Sequence, residues 1–179
     1  MDLEPVKSLV AEAGQRALKK WGTVVAEEKA DRSLVTVVDR DTENFLADGI
    51  ARLFPDAGFA GEEYGRRAVG RSDIWVSDPI DGTTSFVHNQ PYFSISIAFK
   101  EDGATKIGVV NAPRLSELYW AEKGSGAFCN GRPIKVSHRD KLISSVLSTG
   151  FACVRSDLPD NNLAIFTRIL PRLRGIRRY

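Results

Sequence analysis

Ile74-Trp75-Val76-Ser77-Asp78-Pro79-Ile80-Asp81-Gly82-Thr83-Thr84-Ser85-Phe86 is the stretch on which the reading of this chain turns. An apolar run ends in two carboxylates that flank a proline and an isoleucine, and a glycine and a run of hydroxyls follow. Proline fits neither a helix interior nor a central strand. The expectation is therefore a short buried strand over Ile74–Ser77 that stops and delivers Asp78 and Asp81 at a break. A carboxylate pair placed there contributes little to folding and suits a hard cation. Gly82-Thr83-Thr84 offers backbone N–H groups and hydroxyls of the kind that grip a phosphate. Metal plus phosphate is the chemistry this stretch proposes.

The surrounding sequence sets limits. A length of 179 residues predicts one domain over 1–179, and 42% hydrophobic with 27% charged residues is an ordinary globular composition. A formal net charge of +2 is too mild to argue for nucleic acid as a partner. The local exception is the cluster Arg168, Arg172, Arg174, Arg177 and Arg178, read as a solvated basic helix and tail. Cys129 and Cys153 have no close-spaced ligand pattern and are expected as buried, reduced thiols. The acidic start Met1-Asp2-Leu3-Glu4-Pro5 lacks a signal-peptide core, and no apolar run reaches membrane-spanning length. The expectation is a cytoplasmic protein with no membrane partner.

Periodicity supplies the elements. Val6, Leu9, Val10, Ala13, Ala17, Leu18 and Trp21 fall on one face of a helix running from Val6 to about Val25, with Pro5 in the first turn and Gly22 as the stop. Glu27–Ser33 reads as a loop or hairpin, and a second helix from Thr36 or Asp39 ends before Pro55. Ala57–Gly61 reads as a short strand, and Arg66–Ser72 as an exposed turn-rich run. Phe93, Ile95, Ile97 and Phe99 alternate with polar or small residues, a period of two. Asp102-Gly103 and Asn130-Gly131 mark turns between further strands at Lys106–Val110, Leu118–Glu122 and Ala127–Cys129. Val146–Gly150 is one more candidate strand, and Leu163–Leu173 a last helix interrupted by Pro171. The fold class is α/β, a layered α+β sandwich with paired N-terminal helices on a mainly antiparallel sheet.

Three acidic positions sit at breaks between elements and not on periodic faces: Asp39, the Glu62-Glu63 pair, and Asp78 with Asp81. Mg²⁺ takes oxygen ligands in octahedral geometry and keeps several waters, so a few carboxylates and a substrate phosphate suffice. Two such ions can activate a water on one side of a phosphate and stabilise the leaving oxygen on the other. Asp78, the Ile80 carbonyl and Asp81 can converge from one tight turn, and Glu62 from a neighbouring strand can complete the set. The alternative, that these acids only cap turns, explains a lone Asp-Gly. It accounts poorly for Asp-Pro-Ile-Asp-Gly-Thr preceded by Gly-Glu-Glu.

Gly61-Glu62-Glu63 and Trp75–Phe86 together resemble the inositol monophosphatase family of Mg²⁺-dependent, lithium-sensitive phosphatases. Leu34-Val35-Thr36-Val37-Val38-Asp39 resembles the segment before that family's second helix, and Gly124-Ser125-Gly126-Ala127-Phe128-Cys129-Asn130-Gly131 its Gly-x-Gly-Ala-Phe-x-Asn-Gly hairpin. The resemblance implies a sugar-phosphatase-like fold and two to three Mg²⁺ ions. Glu62, Asp78 and the Ile80 carbonyl would hold the first ion, Asp78 and Asp81 would share the second, and Glu62 would help hold a third. Thr83, paired with Asp39, would orient and help deprotonate the attacking water. The Gly82 and Thr83 N–H groups would hold the phosphate, so Glu62, Ile80, Asp81, Gly82 and Thr83 line the substrate position. His88 and His138 are left as surface or packing residues. The resemblance also implies a small phosphorylated metabolite as substrate and a homodimer.

Departures from the family pattern are Tyr64 after the Glu pair, Ser85 before Phe86, and Val38 where a polar or small residue is usual. The family's later Trp-Asp motif, which supplies a further carboxylate to the second metal, is not found. The chain is expected to be the N-terminal two-thirds of such a phosphatase, truncated or naturally short, with its C-terminal α/β half absent. The leading reading is a Mg²⁺-dependent phosphomonoesterase with inositol monophosphate as first substrate. Histidinol phosphate and fructose 1,6-bisphosphate are the alternatives within the family, with phosphoadenosine phosphates a further outlet. The alternative of another class is a non-catalytic metal-binding or regulatory protein.

Overall fold

The protein is described from a computed structural model in which residues 2–30, 33–67, 72–150 and 161–177 are defined. These fall into two compact units, Met1–Lys29 with Ser33–Lys135, and Ala30–Arg32 with Val136–Tyr179.

In the first unit, helix α1 (Glu4–Leu18) forms because Val6, Leu9, Val10, Ala13 and Ala17 share one face, and all are buried. Pro5 sits in the first turn, where its missing N–H costs nothing. The helix ends sooner than the periodicity suggests. A turn takes over at Lys19 and passes through Gly22 at φ 81°, while Val25 beyond it is 87% exposed. Strands β1 (Glu27–Glu28) and β2 (Leu34–Val35) pair antiparallel, which selects the hairpin from the loop-or-hairpin reading. Thr36 then caps helix α2 (Val37–Leu53), which buries Val38, Leu46, Ala47 and Ile50. Gly49 lets the two helices close on each other, since a Cβ there would lie 2.4 Å from Leu9 Cδ1.

Strands β3 (Gly58–Gly61), β4 (Gly65–Arg67) and β5 (Ile74–Asp81) follow, then the short helix α3 (Thr83–Val87). The backbone of Gly65–Arg67 pairs with Phe59–Gly61, so the run read as turn-rich and exposed begins in a strand; residues 68–71 of that run lie outside the described residues. Strands β6 (Ser94–Glu101), β7 (Ala104–Ala112), β8 (Glu117–Glu122), β9 (Gly126–Cys129) and β10 (Arg132–Ile134) complete the unit. The eight strands form one sheet in the order β10-β9-β8-β7-β6-β5-β3-β4. Neighbours are antiparallel except β3 and β5, which run parallel, so the sheet is mainly antiparallel as expected. The Asp102-Gly103 and Asn130-Gly131 turns have positive φ at both residues (48° and 77°, 48° and 75°), the geometry of tight hairpins. Ile95, Ile97, Phe99, Ile107 and Val109 line the buried face and join Trp75 and the apolar faces of α1 and α2 in one core.

Strand β5 corrects the reading of the deciding stretch. It does not stop at Ser77 but continues through Pro79 to Asp81. Two facts make the proline tolerable. Pairing with β3 ends at Gly61–Ser77, so one flank of β5 is already free of a ladder partner. On the other flank, Asp78 pairs with Ser96 and Asp81 with Ser94, so three steps along β5 match two along β6. That extra residue is a bulge, where a missing N–H disturbs no ladder bond.

In the second unit, a 3-10 turn (Leu142–Ser144) precedes β11 (Val146–Ser148). Helix α4 (Leu163–Ile169) runs into a 3-10 turn (Leu170–Arg172) containing Pro171. Strand β12 (Gly175–Arg177), not anticipated from the sequence, pairs parallel with β11. Arg168, Arg172, Arg174 and Arg177 are exposed, as expected of a solvated basic segment, while Cys153 and Arg178 lie outside the described residues. Cys129 is a free thiol, half-buried and not fully so. Among the described residues no helix is long and apolar enough to cross a membrane.

Phe86 anchors α3 to the core: it is fully buried, and its ring meets Phe93 edge-on at 4.8 Å. Phe86→Ala is expected to lower the unfolding free energy by about 3–5 kcal/mol, measured by urea denaturation. A loss inside experimental error would mean α3 is not held by this contact.

Candidate active site

Three chain breaks meet in the first unit: the start of α2, the turn after β3, and the end of β5. At the first, Thr36 takes an extended backbone and its hydroxyl accepts a hydrogen bond from the Val38 N–H at 3.1 Å. Asp39, in the first turn, returns the cap. Its Oδ2 accepts from the Thr36 N–H at 2.8 Å and from the Thr36 hydroxyl at 2.6 Å. The other oxygen, Oδ1, is left for a different task and accepts from the Thr83 hydroxyl at 3.0 Å. Asp39 is only 2% exposed, and burial pushes its carboxyl above the ordinary value even though Thr36 and Thr83 both donate to it. Thr83 Oγ1 also lies 3.0 Å from the Ile80 carbonyl. A hydroxyl has one proton, so it serves one of these two acceptors at a time.

The β5 bulge decides how the two aspartates face. Residues three apart in a regular strand point to opposite faces. The extra residue cancels that parity, and Asp78 and Asp81 come into register with Ser96 and Ser94, which share a face of β6. Asp78 is half-buried, and its Oδ1 is shut off from solvent with no hydrogen-bond partner. Burial, then the charges of Glu62 and Asp81, push its carboxyl up to about 7. An orphaned oxygen in a concentration of negative charge is the environment that a bound cation would relieve, so these residues fit a hard metal ion. Among the described residues there is no group of three or more His, Cys, Asp or Glu side chains that could hold a metal ion by themselves. Mg²⁺ does not need one, because backbone oxygen, water and substrate phosphate fill the remaining positions.

Glu62 and Glu63 divide their roles. Glu63, with a side chain 9% exposed, takes the Lys29 ammonium at 2.6 Å, whereas Glu62 is 52% exposed and 3.7 Å from it. Partial burial acts to lower the Lys29 pKa, but the carboxylates of Glu63, Glu62 and Asp39 outweigh it and hold the ammonium above its usual value. The turn is fastened from beneath by Glu43 on α2. Its carboxylate accepts from the Glu63 N–H at 2.7 Å and the Tyr64 N–H at 2.9 Å. At the third break, Gly82 has φ 90°, and a Cβ would lie 2.8 Å from the Tyr92 carbonyl, so no other residue fits. Gly82 caps α3, whose first N–H groups have no partner within the helix.

The structure thus joins Asp39, Thr83 and the Ile80 carbonyl by hydrogen bonds, and Glu62, Asp78 and Asp81 by their mutual electrostatics. Thr36, Lys29 and Glu43 were not singled out from the sequence. A signal existed for Glu43: at four residues beyond Asp39 and three before Leu46, it occupies the buried face of α2.

A sequence model described as the inositol monophosphatase family matches residues 2–179. The chain is 43% identical over 138 residues to a histidinol-phosphatase of Chlorobaculum parvum, covering 76% of this chain and 53% of that protein. It is 43% identical over 144 residues to a fructose-1,6-bisphosphatase/inositol-1-monophosphatase of Thermotoga maritima, covering 79% of this chain and 56% of that protein. The crystal structure of extragenic suppressor protein SuhB from Bartonella henselae superposes with a TM-score of 0.90 at 30% identity, over 99% of this chain and 69% of that one. The chain therefore spans little more than half the length of the two curated relatives.

The raised Asp78 pKa has a sign that can be tested. The folded protein binds this proton more tightly than the unfolded chain, so the stability it contributes is present at low pH and lost as pH rises from 3.8 toward about 7. In EDTA at pH 8, Asp78→Asn should raise the melting temperature, and the gain should shrink at pH 5. A lower melting temperature at pH 8 would mean the ionised carboxylate is satisfied without a cation.

Proposed function

The chain belongs to the inositol monophosphatase family, and from that premise we propose that its site is that of a Mg²⁺-dependent phosphomonoesterase acting on a small phosphorylated metabolite. The single observation that carries the reading is the orphaned Asp78 Oδ1, on a carboxyl that is buried and feels the charges of Glu62 and Asp81. Glu62, Asp78 and the Ile80 carbonyl would hold one Mg²⁺, Asp78 and Asp81 a second, and Glu62 would help hold a third. When bound, such ions lower the pKa of water and neutralise charge on a phosphate.

The chain's own residues do the rest. Were the Ile80 carbonyl engaged as a metal ligand, the Thr83 proton would be left to Asp39. Thr83 Oγ1 then has its lone pairs free to accept a hydrogen bond from the attacking water and align it with phosphorus. Asp39 is well made for this, because Thr36 fixes one of its oxygens and burial raises its affinity for a proton. The Gly82 and Thr83 N–H groups at the start of α3 would hold the phosphate. In-line attack by water needs no covalent enzyme intermediate, and the exposed His88 and His138 take no part.

Inositol monophosphate is the first substrate to test. Relatives named for histidinol phosphate and fructose 1,6-bisphosphate keep those two in the panel. Inhibition by Li⁺, a homodimer and a cytoplasmic location belong to the same proposal.

The experiment is phosphate release from inositol, histidinol and sugar phosphates by the full chain, with and without Mg²⁺. Release from at least one substrate, dependent on Mg²⁺, is expected; none from any would overturn the enzyme reading. Asp78→Asn should lower turnover about 100-fold or more, because a ligand common to two cations loses its charge. Thr83→Ala should reduce turnover about 100-fold, the scale of a lost proton-handling group, with a smaller change in Mg²⁺ affinity. A pure loss of affinity would contradict its role in holding water.

A further inference from the structure

Glu43 takes no part in the metal binding or chemistry proposed above, yet it is 0% exposed in the first unit. A buried carboxylate is costly unless its oxygens are satisfied. Here Oε2 accepts from the Glu63 N–H and Oε1 from the Tyr64 N–H, at 2.7 and 2.9 Å. The residue before Glu62 is tied to the same group. A Cβ on Gly61 would lie 2.0 Å from Glu43 Cδ and 2.1 Å from Oε1. The φ of Gly61 lies outside the left-handed region, so glycine is required there for space and not for backbone conformation.

Glu62 is thereby fixed on both sides. Gly61 rests against the carboxylate before it, and the N–H groups of Glu63 and Tyr64 are bound by that carboxylate after it. Lys29 draws the Glu63 side chain away at 2.6 Å, which leaves Glu62 as the acid presented toward Asp78. Asp39 and Glu43, four residues apart, lie on one face of α2. One helix therefore sets two parts of the site: Asp39 fixes Thr83, and Glu43 fixes the Glu62 turn.

We propose that Glu43 is a positioning residue whose carboxylate sets the backbone of the Glu62–Tyr64 turn and so determines how tightly the site holds its divalent cation. This rests on the metal-binding role proposed for Glu62. Gln at position 43 keeps the volume but offers one acceptor where two N–H groups need two, and its NH₂ faces the second N–H. Ala at position 61 leaves Glu43 intact and displaces its carboxylate from the other side.

The test measures Mg²⁺ binding directly by calorimetry on the full chain, with Mn²⁺ paramagnetic titration as a second probe. Both are run beside phosphate release against Mg²⁺ concentration and a check of folding by circular dichroism. Glu43→Gln and Gly61→Ala are each expected to weaken cation binding about tenfold or more, the usual scale for a group supporting a ligand. The loss in affinity should exceed the loss in turnover at saturating Mg²⁺. A folded Glu43→Gln chain with wild-type affinity overturns the proposal, and so does a fall in turnover with affinity unchanged. If Glu43→Gln does not fold, Gly61→Ala decides on the same readouts. A wild-type chain that binds no Mg²⁺ overturns the phosphatase reading itself, whereas normal wild-type binding with unaffected variants overturns only this inference.

Discussion

The capping of α2 by Thr36 and Asp39 is the interaction from which the rest of the site is laid out. An N-cap fixes the rotation of a helix about its axis as well as its start, because the side chain of the first turn must meet the backbone behind it. With Asp39 Oδ2 committed to Thr36, Oδ1 has one direction left, and Thr83 lies along it. The same rotation turns Glu43 under the strand β3 turn and Leu46 and Ile50 into the core. A carboxylate that reads as local capping chemistry thus also orients a helix that reaches two other loops. Its position near the helix N-terminus suits a negative charge, which partly offsets the burial that pushes its pKa up.

A second constraint is parity. Asp78 and Asp81 can act together only because the strand that carries them contains one residue too many relative to its partner. Pro79 sits in that irregularity, where it lacks nothing that the sheet would have used. The bulge converts two residues that would face opposite ways into a pair in register with one face of β6, as bulges beside functional sites commonly do.

Much of this was legible in the sequence, and what was missed has definite causes. The period of two in Phe93–Phe99, the two positive-φ turns and the apolar stripe of α1 are local signals, and each produced the element it indicates. Asp78, Asp81 and Glu62 were legible because acids at breaks have no folding reason to be there, and Asp39 was legible at the start of the second helix, although capping is also part of its role. The continuation of β5 through Pro79 was not, since a proline argues against a strand and a bulge depends on the partner strand, which no local pattern encodes. The parallel pairing of β12 with β11 joins residues far apart in sequence and leaves no local trace either. Glu43 escaped for a different reason. A lone acid on a helix face is ordinary, and only the backbone N–H groups arriving from Glu63 and Tyr64 reveal what it holds.

The charges of the site also show which state it is built for. Burial first, and then the charges of Glu62 and Asp81, raise the Asp78 carboxyl to about 7, a cost that folding alone gives no reason to retain. Lys29 lies beside this group, but it binds Glu63 at 2.6 Å and reaches Glu62 only at 3.7 Å. It anchors the turn without neutralising its inner charges. Had the ammonium been placed on Asp78, the site would be more stable and its oxygens occupied. Instead Asp78, carried on the bulged strand, keeps a desolvated oxygen with no partner. The repulsion is a local instability supported by the capped helix and the packed sheet around it, and it gives an incoming divalent ion its differential affinity.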